Sequence, residues 1–296
     1  MNRAKQRPNK KPADKATKEP KPIQATSPAP EAQQQTFTIQ QAIDLGLQHH
    51  NAGDLSKAED IYQKILQAKP KQPIALHFLG VIAHQVGKND RAVDLIGKAL
   101  TINPDYAEAH SNMGLALQEL GQLDDAVASY HKALAIMPDY AEAYNNMGLA
   151  LKELGQLEDA VASYHKALTI NPDFSEAHSN LGLALQELGQ LDDAVVSHRK
   201  ALAITPDSAE AHNNLGSALQ ELGQLDDAVV SYHKALALKP DYAQAHSVLG
   251  EILLRAGHYK EGLLHKLKGD GVIVFINDKS CHFQVLHGHE GKKIYD

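Results

Sequence analysis

Residues 107–140, AEAHSNMGLALQELGQLDDAVASYHKALAIMPDY, return at once as residues 141–174 with seven differences, then again as 175–208 and 209–242. A fixed period of this length, repeated with so little drift, marks one supersecondary unit stacked on itself, so the chain must fold as an array and not around a single centre. In the same frame residues 39–72 and 73–106 are two weaker copies, and Ala243 opens a partial seventh that is expected to stop near residue 262.

Each unit reads as two helices. In residues 107–140 the apolar side chains Ala109, Met113, Ala116, Leu117 and Leu120 fall on one helical stripe. Gly121 follows, free to take the positive φ that closes a helix end. Leu123, Ala126, Val127, Tyr130, Ala133 and Leu134 make a second stripe, with Asp124 and Asp125 at the helix start, where the backbone dipole favours negative charge, and Pro138 beyond its end. Neither stripe is wide enough to form a core alone; neighbouring units must bury both.

The set Gly114, Leu117, Ala126, Tyr130, Ala133 and Pro138, repeated as Gly148, Leu151, Ala160, Tyr164, Ala167 and Pro172, resembles the tetratricopeptide repeat (TPR) family. The resemblance implies an all-α, right-handed superhelix of helical hairpins with a concave inner face, over about residues 37–262. The central copies are similar to the superhelix of O-GlcNAc transferase more than to a short chaperone-binding TPR domain.

The flanks read differently. Residues 1–36 carry eight Lys or Arg against three acids and are rich in Pro, with few large apolar side chains, the composition of a disordered basic arm. That arm fits neither a secretory signal nor a transit peptide, no later run is apolar for long enough to span a bilayer, and the single cysteine, Cys281, suits a reducing compartment; the cytoplasm is the expected location. Residues 263–296 are read as a degenerate helix end, because Gly262, Lys266 and Gly269 occupy the places of Ala126, Tyr130 and Ala133, followed by a short β-hairpin of Val272 to Ile276 and Cys281 to Leu286 around Asn277-Asp278-Lys279.

The array itself is acidic, each of the four central copies holding five acids against one or two bases, and this repels nucleic acid. Its first helices carry a second face: Glu108, Asn112, Leu115 and Glu119 in residues 107–140. The asparagine recurs as Asn146, Asn180 and Asn214 and stops at Phe78 and Val248. A carboxamide complements the N–H and C=O of a peptide unit, so a row of four can hold an extended chain by its backbone; the alternative is that these asparagines only tie neighbouring helices. The resemblance implies the first role, since a ladder of this kind lines the inner groove of O-GlcNAc transferase. Flanking candidates are Ser111, Asn145, Ser179 and Asn213, and Gln118, Lys152, Gln186 and Gln220. Glu119, Glu153, Glu187 and Glu221 disfavour a carboxylate tail and favour a neutral or basic segment.

No catalytic motif, cofactor loop or metal pattern is legible. The repeated His110, His178, His212 and His246, and His131, His165 and His233, are read as packing or surface residues, and Cys281, His282, His287 and His289 match no strong zinc spacing. The expected function is a protein-interaction scaffold, with no cofactor; the rival reading is the substrate-recruiting, non-catalytic part of a glycosyltransferase or methyltransferase system, and self-association through an array end is a third possibility.

Overall fold

The computed structural model describes residues 37–271. Among them lie fourteen helices in seven pairs: α1 (Ile39–Asn51) with α2 (Leu55–Ala68), α3 (Pro73–Gln85) with α4 (Asn89–Ile102), α5 (Ala107–Glu119) with α6 (Leu123–Ile136), α7 (Ala141–Glu153) with α8 (Leu157–Ile170), α9 (Ser175–Glu187) with α10 (Leu191–Ile204), α11 (Ala209–Glu221) with α12 (Leu225–Leu238), and α13 (Ala243–Arg255) with α14 (Tyr259–Asp270).

The turn inside each pair is set by glycine. Gly121 sits at φ 71°, and the Gln122 N–H reaches back to the Leu117 carbonyl at 2.9 Å, closing the end of α5. Within a pair, a second glycine brings the helices together: a Cβ on Gly114 would lie 2.6 Å from the Tyr130 ring, and one on Gly148 the same distance from Tyr164. The tyrosine ring thus packs flat against bare backbone, and both rings are fully buried. Ala126 and Ala133 are also buried completely.

Each second helix packs on the following first helix, and successive first helices also touch, α3 with α5, α5 with α7, α7 with α9 and α9 with α11. No second helix makes a comparable contact with the next. The first helices therefore crowd the inside of the curve and the second helices form its outside. The buried core runs on from Leu117 to Leu253 as one apolar cluster, preceded by clusters at Ile43–Ile82 and Ala83–Ala116.

The expected all-α array with a C-terminal β-hairpin needs correction. Among the described residues the fold is helical only, with no strand, and α14 runs unbroken to Asp270, so the seventh pair is complete where the sequence pattern reads as lost. The reason lies in the glycines. A Cβ on Gly262 would stand 3.0 Å from the Gly250 carbonyl oxygen, and Gly269 sits against the Ser247 amide, so α13 and α14 meet backbone to backbone without the alanine and tyrosine of the other units. Lys266 replaces the tyrosine, with its Nζ on the Ser247 hydroxyl at 3.2 Å and on the Asp270 carboxylate. Residues 272–286, on which the hairpin expectation fell, lie outside the described residues, as does the arm at residues 1–36. Among the described residues no helix is long and apolar enough to cross a membrane.

Candidate functional site on the first helices

The four asparagines of the ladder sit half-buried on the face where first helices adjoin, and the structure divides them into two kinds. The Nδ2 of Asn112 donates to the Nε2 of His77 at 2.8 Å, and the Nδ2 of Asn180 donates to the Oδ1 of Asn145 at 3.0 Å. Asn146 and Asn214 make no hydrogen bond among the described residues. The difference follows from the residue 34 plus one positions earlier. His77 and Asn145 are long enough to reach back; Ser111 and Ser179, which stand in the same register before Asn146 and Asn214, are not.

His77 is buried, and its bonds fix its tautomer. Because Asn112 Nδ2 is a pure donor, His77 Nε2 accepts, and the ring proton resides on Nδ1, which donates to the Tyr106 hydroxyl at 2.8 Å. Burial, with a smaller push from His50, holds this imidazole down at about 4. The flanking candidates Ser111, Asn145 and Asn213 are likewise buried, between the repeats and beneath the inner surface. Burial raises the pKa of Tyr140, and the neighbouring Ser111 hydroxyl opposes that rise. Asn145 also donates to Glu176 Oε1 at 3.2 Å. Asn213 has a buried Oδ1 with no partner: the register that gives Asn145 its donor puts Val248 there instead. Ser179 stays half-buried.

A second row runs beside the first. Gln118 donates to Glu153 Oε1 at 2.6 Å, Lys152 to Glu187 Oε1 at 3.0 Å and Gln186 to Glu221 Oε1 at 3.0 Å, each bond joining one repeat to the next. The glutamines face inward as well: Gln118 Oε1 accepts from Tyr130, Gln186 Oε1 from His198 Nε2 at 3.0 Å, and Gln220 Oε1 from Tyr232 at 3.2 Å. Lys152 is donor-only, and Tyr164, its counterpart in the core, is left with an unpaired buried hydroxyl. The row ends where Leu254 and Arg255 replace the glutamine and glutamate of the earlier units. Glu119, Glu153, Glu187 and Glu221 are all exposed, a carboxylate per repeat beside the asparagines.

The first-helix histidines have a defined role in this frame. His110, His178, His212 and His246 place Nε2 2.8 to 3.1 Å from the carbonyl of the proline six residues earlier, tying down the loop that enters each first helix. At the amino-terminal end Phe78 takes the ladder position and stacks on Tyr62, 5.7 Å between centroids, so an aromatic cluster replaces the carboxamide there. No group of three or more metal-ligating side chains is placed for a metal ion among the described residues.

The TPR-repeat family model matches residues 80–121, 117–155, 148–189, 185–223 and 216–257. The chain belongs to the TPR family. No curated protein sequence matches it. Among solved structures, the TPR array is similar to MamA, at 29% identity over 56% of this chain and 98% of that one, TM-score 0.50. It is similar to PilW, a widely conserved type IV pilus biogenesis factor, at 25% identity over 71% and 98%, TM-score 0.67. The fold is also that of YrrB, a TPR protein with an unusual peptide-binding site, at 22% identity over 67% and 97%, TM-score 0.53. TPR arrays mediate protein–protein interactions and as a class are non-catalytic scaffolds.

Sequence reasoning missed the split among the asparagines of this TPR array. The signal was present in the residues 35 positions earlier, His77, Ser111, Asn145 and Ser179, and it becomes readable once stacking sets that offset.

Proposed function

We propose that this TPR array is a scaffold that docks an extended, neutral to basic protein segment along its first-helix face. The observation that carries the reading is the pair Asn146 and Asn214: two half-exposed carboxamides, both without an internal partner, two repeats apart in one row. An unpaired carboxamide presents a donor and an acceptor side by side to a peptide backbone. Asn112 and Asn180 each commit one N–H of the carboxamide to the preceding repeat and keep Oδ1 as an acceptor for a backbone N–H.

The exposed carboxylates of Glu119, Glu153, Glu187 and Glu221 lie in the neighbouring row and favour lysine or arginine on the bound segment. Stacked repeats present this face without reordering, which keeps the entropic cost of binding on the segment alone.

The test is a peptide array probed with the full chain at low and high salt. The reading expects extended neutral and basic segments to be retained and acidic ones rejected, with the preference for basic segments weakening as salt rises. Equal retention of acidic and basic segments contradicts it.

A further inference from the structure

The last helix pair is attached differently from the others. α13 and α14 form the most extensively packed pair in the array, yet α13 rests on α12 through the thinnest junction between neighbouring helices. Three imidazoles meet at that junction, one from each helix: His233 on α12, His246 on α13 and His265 on α14.

Their bonding depends on charge. His246 Nε2 lies 3.0 Å from the Pro240 carbonyl, which can only accept, so the ring proton of a neutral His246 is on Nε2 and its Nδ1 is bare. That Nδ1 is 2.7 Å from the Nδ1 of His265, which must then donate. The two rings are 4.8 Å apart, and the His233 ring stands 6.0 Å from His265, edge to face. One proton, taken on the other nitrogen of His265, leaves that bond in place and puts a charge beside His233; only with both rings charged does N–H face N–H. The arrangement is confined to this repeat: the place of His265 is held by Ser129, Ser163, Ser197 and Ser231 in the four before it, and the buried Nδ1 atoms of His178 and His212 have no partner.

We propose that these histidines form a proton-sensitive latch: a proton on His265 gathers charge beside His233 and His246, a second one on the pair sets N–H against N–H, and the crowding of like charge loosens α13–α14 from α12. The charged and titratable groups acting on His265 are His246 from α13, His233 from α12, and Glu261 and Lys268 on α14 itself; the last two oppose each other. Lys266 and Asp270 are paired with one another. Burial first, then His246 and His233, holds His265 below the ordinary imidazole range. A group depressed in this way stabilises the fold fully above its unfolded pKa, about 6.5, and that contribution is lost as pH falls below it.

Hydrogen exchange of the full chain between pH 7.5 and 5.5, corrected for the intrinsic pH dependence, reads the latch directly. Opening of residues 243–270 is expected to rise by up to about tenfold per pH unit for each proton taken up, and to rise more than that of residues 107–170, which follow only the general acid decline of the fold. His265→Ser, the residue of the other repeats, should abolish the rise. A rise of equal size in His265→Ser, or no rise in the natural chain, overturns the proposal. Should His265→Ser leave α13–α14 unprotected even at pH 7.5, the exposed His233→Gln decides: the step must shrink, and an unchanged step overturns the latch.

Discussion

Asn180 donates its Nδ2 to the Oδ1 of Asn145 at 3.0 Å, binding one repeat to the next through two carboxamides of which the acceptor is 1% exposed. Asn146 and Asn214 occupy the same place in their own repeats and bind nothing. Removing the Asn180 donor strands a buried acceptor, so Asn180→Ala should cost about 1–3 kcal/mol. Asn146→Ala strands nothing and should stay within about 0.5 kcal/mol. Urea unfolding of the two variants checks the difference.

The glycines give opposite signs for one substitution. A Cβ on Gly148 would press 2.6 Å from the buried Tyr164 ring, and Gly148→Ala should destabilise by about 1–3 kcal/mol despite the better helix propensity of alanine. Gly97, in α4, has its nearest contact at 3.6 Å, from Met113 Cε, and Gly97→Ala should stabilise by about 0.5–1 kcal/mol. Thermal melts followed by circular dichroism distinguish the two.

Lys152 breaks the glutamine relay and leaves the Tyr164 hydroxyl unpaired. Lys152→Gln restores an acceptor for Tyr164 and keeps a donor for Glu187, at the loss of a half-exposed ion pair that contributes little. A gain of about 0.5–1.5 kcal/mol is expected in urea unfolding. Lys152→Ala, which supplies no acceptor, should show none.

Two buried histidines set the acid limit of the fold. Burial holds His77 and His198 at about 4, so each is neutral in the folded chain and protonates more readily in the unfolded one. Stability is therefore complete above the ordinary imidazole pKa, about 6.5, and declines as pH falls from there towards 4. His198→Tyr, which restores the residue of the flanking repeats, should reduce the decline by about 1.4 kcal/mol per pH unit across that window. At the alkaline end the sign reverses: Tyr62, Tyr106 and Tyr232 are raised to about 12 by burial, and stability should fall above about pH 10 as the unfolded chain ionises. Urea midpoints measured from pH 4 to pH 11 check both limbs.

The helices were legible because every unit repeats its own punctuation. Gly121 and Pro138 mark ends that recur at Gly155 and Pro172, and the stripe from Ala126 to Leu134 names the buried face. The seventh repeat was misread because the pattern counts side chains, whereas Gly262 and Gly269 allow backbone to meet backbone and keep α14 in place without a stripe. The asparagine row was legible by position and not by state. Whether each carboxamide is free depends on the length of a side chain 35 residues away, a neighbour created by stacking and invisible to a scan along one helix.

The most direct test of the docking account compares two double variants for affinity towards one extended basic peptide retained by the array. Fluorescence anisotropy with Asn146→Ala/Asn214→Ala should show a loss of roughly tenfold or more, from two carboxamides that each offer the peptide backbone a donor and an acceptor, in a protein whose melt is unchanged. Asn112→Ala/Asn180→Ala should lose stability and give up less affinity. Equal affinity of the natural chain and Asn146→Ala/Asn214→Ala would contradict the account and return the asparagine row to a structural role.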